Sequence, residues 1–163
     1  MKPQIRLHRG AFELRASVHL SQNIDVVFNF FSDARNLELI TPPMLSFSTL
    51  TPSPIVMKVG ALIDYRLKIR GLPLRWRTEI TAWDPPHRFE DTQLKGPYRQ
   101  WIHEHLFFKD GDGTRMEDIV RYKVLGGRLV NRLFVAPDVL RIFNYRNQIL
   151  QENLQNSVLG SES

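Results

Sequence analysis

The sequence predicts an α+β domain in which a long C-terminal helix packs across a curved antiparallel sheet, leaving a cavity between them. Three observations carry this reading. Apolar and polar residues alternate with period two through several successive stretches. An apolar stripe at 3.6-residue spacing runs along the C-terminal segment. The order of the elements is strand, two short helices, a run of strands, then that helix.

The first strand is FELRASVHL, which puts Phe12, Leu14, Ala16, Val18 and Leu20 on one face. Ser21 is placed to cap a short helix through NIDVVFNFF, and Asp33 a second through ARNLELI, which the Thr41–Pro43 stretch stops. MLSFSTL and a Pro-rich turn follow. The pair ALIDYRLKI and LRWRTEITAW then turns around Arg70 to Pro73. Tyr65, Leu67, Ile69, Leu74, Trp76, Thr78, Ile80 and Ala82 share one face of it; Asp64, Arg66, Lys68, Arg75, Arg77 and Glu79 share the other. Three more strands are RFEDTQL, YRQWIHEHLFF and TRMEDIVRYKV. Beyond Gly126 and Gly127 lie a short helical piece, LVNRLFV, and a long helix from about Pro137 to Leu154.

With 163 residues the chain fits a single domain, 1–163, with a loose tail at about 157–163. Hydrophobic residues at 42% and charged residues at 24% exclude a largely disordered chain. There is no cysteine, which excludes a disulfide framework and thiolate chemistry and suits a reducing compartment. MKPQIRLHRG lacks an apolar leader core, and no apolar run approaches the roughly 20 residues that span a bilayer. A cytoplasmic protein with no integral membrane segment is expected. The net charge of +5 is spread along the chain without a basic block, and Asp64 and Glu79 interrupt Arg66, Lys68, Arg75 and Arg77, so no nucleic-acid partner is expected. The oligomeric state is not fixed by the sequence.

The stretches NLELITPP (36–43), LRWRTEITAWDPPHRF (74–89) and GPYRQWIHEH (96–105) resemble those of the START-like, polyketide cyclase/dehydrase and lipid-transport (SRPBCC) superfamily. Birch-pollen allergen and steroidogenic lipid-transfer domains are distant members. The resemblance runs from about Phe12 to Leu154 and implies the helix-grip fold. It also implies binding of apolar or amphipathic small molecules, and in some members enzymatic activity. It names no substrate for this branch.

The residues themselves locate a polar cluster on the inner wall. If Asp110 to Gly113 turns the last hairpin, Trp101 faces Tyr122, His103 faces Val120, His105 faces Asp118 and Phe107 faces Met116. Phe89, Asp91 and Gln93 lie beside the same face, with Asp91 close to His103. On the long helix, Arg146 falls inside the stripe Val139, Ile142, Phe143, Ile149 and Leu150 and points at the sheet. A buried guanidinium needs a carboxylate, from Asp91, Asp118 or a ligand.

Three chemistries fit these residues. The first is ligand binding, with Tyr65, Leu67, Trp76, Trp101, Phe107, Tyr122, Ile142 and Phe143 as apolar wall. Arg146, Gln93 and the histidines would meet an acidic or carbonyl head group of a hydrophobic or amphipathic molecule. The second is acid/base catalysis by His105–Asp118 or His103–Asp91 pairs, which in a cyclase or dehydratase of the superfamily would enolise a carbonyl or remove water. The third is a metal held by His103, His105 and Asp91 or Asp118. His-x-His is a common accident, and the chain offers no cysteine and no second histidine cluster, so neither metal nor other cofactor is expected. Binding ranks first, because it needs only a cavity, whereas catalysis also needs aligned reacting atoms.

Overall fold

The computed structural model describes residues 1–156; the tail expected at about 157–163 lies outside the described residues. Eight strands form one antiparallel sheet in the order β1-β2-β8-β7-β6-β5-β4-β3. They are β1 (Gln4–His8), β2 (Ala11–Leu20), β3 (Ser48–Thr49), β4 (Leu62–Ile69), β5 (Leu72–Asp84), β6 (Arg88–Lys95), β7 (Gln100–Asp110) and β8 (Gly113–Lys123). Between β2 and β3 come α1 (Ile24–Ser32), α2 (Asn36–Leu39) and a 3-10 turn (Pro43–Leu45). After β8 come α3 (Gly127–Val130), a π-helical turn (Asn131–Val135) and α4 (Ala136–Asn156). The α+β architecture is the one expected.

β1 is an addition to the sequence reading. It pairs with β2 through the two-residue turn Arg9-Gly10, both at positive φ (47° and 77°), and the β4–β5 turn Arg70-Gly71 repeats that geometry (49° and 80°). Such turns match the twist of a hairpin, and glycine relieves the left-handed strain at the second position. MLSFSTL yields only the 3-10 turn and the two-residue β3. Asn23, rather than Ser21, caps α1, its side chain accepting from the Val26 amide at 3.0 Å.

The β7–β8 register is the expected one, with Trp101 opposite Tyr122, His103 opposite Val120, His105 opposite Asp118 and Phe107 opposite Met116. In β5 the period-two pattern breaks between Ile80 and Ala82, where the register shifts. The shift turns Trp83 inward in place of Ala82, and Trp83 packs on Phe28 and Phe89 with ring centroids 5.3 and 5.8 Å apart.

The sheet has two unequal halves. α4 lies against β2, and its Val139 and Phe143 join Leu14, Ala16, Val120 and Tyr122 in one solid core. α1 and the end of α4 close a second core around Phe28, Phe107, Met116 and Leu150. Over β4, β5 and β6 the covering is thinner, made by α2, the 3-10 turn and the loop to β4. At the β4 edge, the Leu50 amide donates to the Asp64 carbonyl at 2.7 Å and the Asp64 amide to Thr51 Oγ1 at 2.8 Å.

On the outer face, charges alternate in sign. Arg77 forks onto Asp64 at 2.8 and 2.9 Å, and Arg88 meets Glu104 at 2.6 Å. Among the described residues no helix is long and apolar enough to cross a membrane.

Candidate functional site

A cavity of about 170 Å³ lies between the thinly covered half of the sheet and α4. Its walls come from Ile63, Tyr65 and Leu67 on β4, Trp76, Thr78 and Ile80 on β5, and Phe89 and Asp91 on β6. Trp101, His103 and His105 on β7 and Ile142, Phe143 and Arg146 on α4 complete the sheet and helix walls; Phe31, Ala34 and Leu37 close one end. Period two puts alternate residues of each strand on this wall, and helical spacing puts Arg146 between Phe143 and Leu150.

Four sequence-predicted residues stand elsewhere. Phe107 packs in the solid core against Phe28 and Phe31, with ring centroids 5.3 and 5.5 Å apart. Tyr122 is fully buried among Phe12, Tyr98 and Trp101, and its hydroxyl donates to Asn131 Oδ1 at 3.0 Å. Burial raises its pKa to about 12, although the Asn131 bond pulls the other way. Gln93 is turned onto Tyr98, whose carbonyl accepts from its amide at 2.8 Å. Asp118 sits behind the wall, 1% exposed, in contact with both histidines and Arg146. The positions of Phe107, Tyr122 and Asp118 follow from the unequal halves: β8 and the far end of β7 lie under solid packing, so residues on the correct face there meet side chains rather than space.

Asp91, His103, His105, Asp118 and Arg146 form one network. The backbone ladder pairs Asp91 with His103 and His105 with Asp118, but the shortest side-chain bonds run diagonally. His103 Nε2 donates to Asp118 Oδ1 at 2.7 Å, and His105 Nε2 lies 3.0 Å from Asp91 Oδ2. The straight contacts are longer: 3.2 Å from His105 Nδ1 to Asp118 Oδ1, and 3.9 Å from His103 Nδ1 to Asp91 Oδ2. The two imidazoles lie 3.8 Å apart, and Phe89 stacks on His105 at 4.1 Å.

Arg146, 4% exposed, donates from Nη2 to Asp118 Oδ1 at 3.2 Å and lies over the Phe31 and Phe143 rings. Its Nη2 is also 3.4 Å from His105 Nδ1. That nitrogen therefore meets a donor and, in Asp118, an acceptor, while Nε2 meets Asp91. The His105 ring can carry its proton on either nitrogen with a carboxylate waiting at each end. Thr78 Oγ1 donates to the second oxygen of Asp91 at 3.1 Å. Among the described residues, Asp118 Oδ2 and Arg146 Nε are buried without a hydrogen-bond partner.

The electrostatics follow from burial and pairing. Burial alone would raise the Asp118 pKa, but the Arg146 charge and the bonds from His103 and His105 outweigh it and hold the group far below the usual carboxylate range. Asp91 is lowered for the same kind of reason: burial opposes ionisation, and the His105 bond, both histidines and Thr78 overcome it. His103 is pushed down to about 4, first by burial and then by its neighbour His105, against the pull of both carboxylates. Leaving His105 aside, two carboxylates face one guanidinium, a surplus of one negative charge in an apolar wall.

No protein-family model matches the sequence, and no curated protein matches it either. Solved structures do. Protein Ms6760 from Mycobacterium smegmatis superposes with a TM-score of 0.69 at 16% identity, over 96% of this chain and 98% of its own. Major latex-like protein 151 from Panax ginseng gives 0.67 at 14% identity, over 89% and 98%. TTHA0849 from Thermus thermophilus gives 0.60 at 22% identity, over 93% and 99%. At these identities the likeness is one of fold. With an open antiparallel sheet, two short helices after the long second strand and a C-terminal helix across the inner face, the chain has the helix-grip fold.

Proposed function

We propose that the chain binds a small, largely apolar molecule in the cavity between sheet and α4, with a carbonyl or hydroxyl end turned to His103, His105 and Arg146. The observation that carries this reading is the cavity itself, apolar on most sides and polar at one wall. Its size suits a body of one or two aromatic rings, since an apolar cavity of about 150 Å³ admits benzene. An acidic end, the other option in the sequence, is disfavoured. Arg146 is already paired with Asp118, and a second carboxylate, Asp91, lines the same wall.

Trp76 and Trp101 line the cavity and report its contents. Titration with 2-acetylnaphthalene, a neutral aromatic ketone, should quench tryptophan fluorescence saturably, and 2-naphthoate should bind at least ten-fold more weakly. Ala34→Phe, whose ring occupies part of the cavity, should weaken the ketone ten-fold or more while the far-UV circular dichroism is kept. Absence of saturable quenching, or equal affinity in the folded Ala34→Phe variant, would reject the reading.

A second reading, proton transfer in the manner of a cyclase or dehydratase, is favoured by one observation: His105 has a carboxylate at each ring nitrogen and lines the cavity. Its test is enzyme-dependent deuterium uptake at the methyl group of 2-acetylnaphthalene in D2O, lost in His105→Gln. Exchange at the uncatalysed rate rejects it.

A further inference from the structure

We propose that Asp91, His103 and His105 hold a divalent transition-metal ion at the cavity wall. This runs against the sequence expectation of no metal, and what reverses it is the arrangement behind the three donors. It stands independently of the ligand-binding reading, because its test uses no organic ligand.

One donor atom from each residue lies within 4.8 Å of the other two. Asp91 Oδ2 is 3.0 Å from His105 Nε2 and 3.9 Å from His103 Nδ1. Ions bound at about 2.0–2.2 Å hold neighbouring donors about 3 to 3.5 Å apart, so small side-chain adjustments close the set. Two imidazole nitrogens and one carboxylate oxygen suit zinc, cobalt or iron in the divalent state.

Metal-binding histidines are held by their other nitrogens, and this outer layer separates a built site from an accident of spacing. Here both outer nitrogens end on one atom. His103 Nε2 is 2.7 Å and His105 Nδ1 3.2 Å from Asp118 Oδ1. With both protons directed to Asp118, His103 Nδ1 and His105 Nε2 present lone pairs on the Asp91 side. Arg146 donates to Asp118, and Thr78 holds the second oxygen of Asp91. Each ligand thus has a partner outside the set.

The charge points the same way. A dication turns the surplus of one negative charge into one positive charge, which a bound hydroxide or an anionic oxygen neutralises. All three ligands line the cavity, so the open coordination position faces whatever occupies it.

The experiment is metal uptake by chelator-stripped full-length protein. Co2+ titration should give one ion per chain with visible absorption bands, displaced by Zn2+. In wild-type protein with 15N-labelled histidine, Zn2+ should shift His103 Nδ1 and His105 Nε2 and leave His8, His19 and His87 in place. Asp118→Asn should weaken Co2+ by 10- to 100-fold while keeping one site, the usual effect of removing an outer partner; Asp91→Asn should weaken it further. Absence of stoichiometric uptake by the wild type, imidazole shifts confined to His8, His19 or His87, or unchanged affinity in folded variants would overturn the proposal. The wild-type imidazole spectrum decides the matter even if a variant fails to fold.

Discussion

His103 and Asp118 share a 2.7 Å hydrogen bond although the β-ladder sets Asp118 opposite His105. Diagonal neighbours on one sheet face are within reach of long side chains, and here the diagonal choice ties β6, β7, β8 and α4 into one network. Removing one member strands its partners.

Arg146→Met tests this most directly. The substitution keeps apolar volume but leaves Asp118 buried without its cation, which typically costs about 3–5 kcal/mol. Urea unfolding at pH 7 should show that loss. The double variant Arg146→Met with Asp118→Leu should recover part of it, because His103 then loses its acceptor but the carboxylate that Arg146 paired is gone as well. A loss below about 1 kcal/mol in the single variant would show that Asp118 does not depend on the arginine.

Acid should destabilise the fold in a window set first by His103. Its folded-state pKa, pushed down from 6.5 to about 4, lies below the unfolded value, so the unfolded chain binds the extra proton. Stability is therefore complete above about pH 6.5 and falls as pH drops toward 4, by up to about 1.4 kcal/mol per unit. Asp91 and Asp118, both held below their ordinary 3.8, add a loss of the same sign at lower pH. In His103→Gln, whose amide can still donate to Asp118, urea midpoints between pH 6.5 and 4 should vary less; an unchanged slope would assign the window to another group.

Tyr122→Phe should separate core from cavity. It leaves Asn131 Oδ1 buried without its donor, a cost of about 1–3 kcal/mol. Affinity for 2-acetylnaphthalene should stay within two-fold, since Tyr122 does not line the cavity. A larger loss of affinity with the melting temperature unchanged would place Tyr122 in the binding wall after all.

The two halves of the sheet should differ in hydrogen exchange. β2 and β8 lie under α4 and solid packing, whereas β4 and β5 lie over the cavity with thinner cover, so local opening is easier there. Amides of β4 and β5 should exchange earlier than those of β2 and β8, and 2-acetylnaphthalene should narrow the difference. Uniform protection would contradict the division.

Strand faces were legible because a period of two survives small errors of register, and the Asp110–Gly113 turn fixed β7 against β8 to the residue. Arg146 was legible as an intruder in an apolar stripe. The bulge after Ile80 was not, because a single added residue leaves no mark in a pattern of mixed Thr, Ala and Trp. β1 was missed because QIRLH is a five-residue edge strand, exposed at every position but Ile5, so no buried face marks it. Membership of the cavity escaped for Phe107 and Tyr122, since which half of a sheet is hollow depends on where the helix crosses it. The diagonal bonding of the histidines depends on side-chain reach, which spacing does not encode.

The loop that closes the β4 edge has a consequence for the protein at high concentration. An open edge strand is a template for intermolecular pairing and aggregation. Here Leu50 and Thr51 occupy the Asp64 carbonyl and amide, β3 takes the neighbouring positions at Tyr65 and Arg66, and the remaining stretch of the strand carries Lys68. At the opposite edge, the five-residue β1 carries Arg6 and His8 on exposed positions. Both rims thus discourage edge-to-edge strand addition, so an open sheet with an easily opened half can expose its apolar interior to a ligand without offering its backbone to a neighbour.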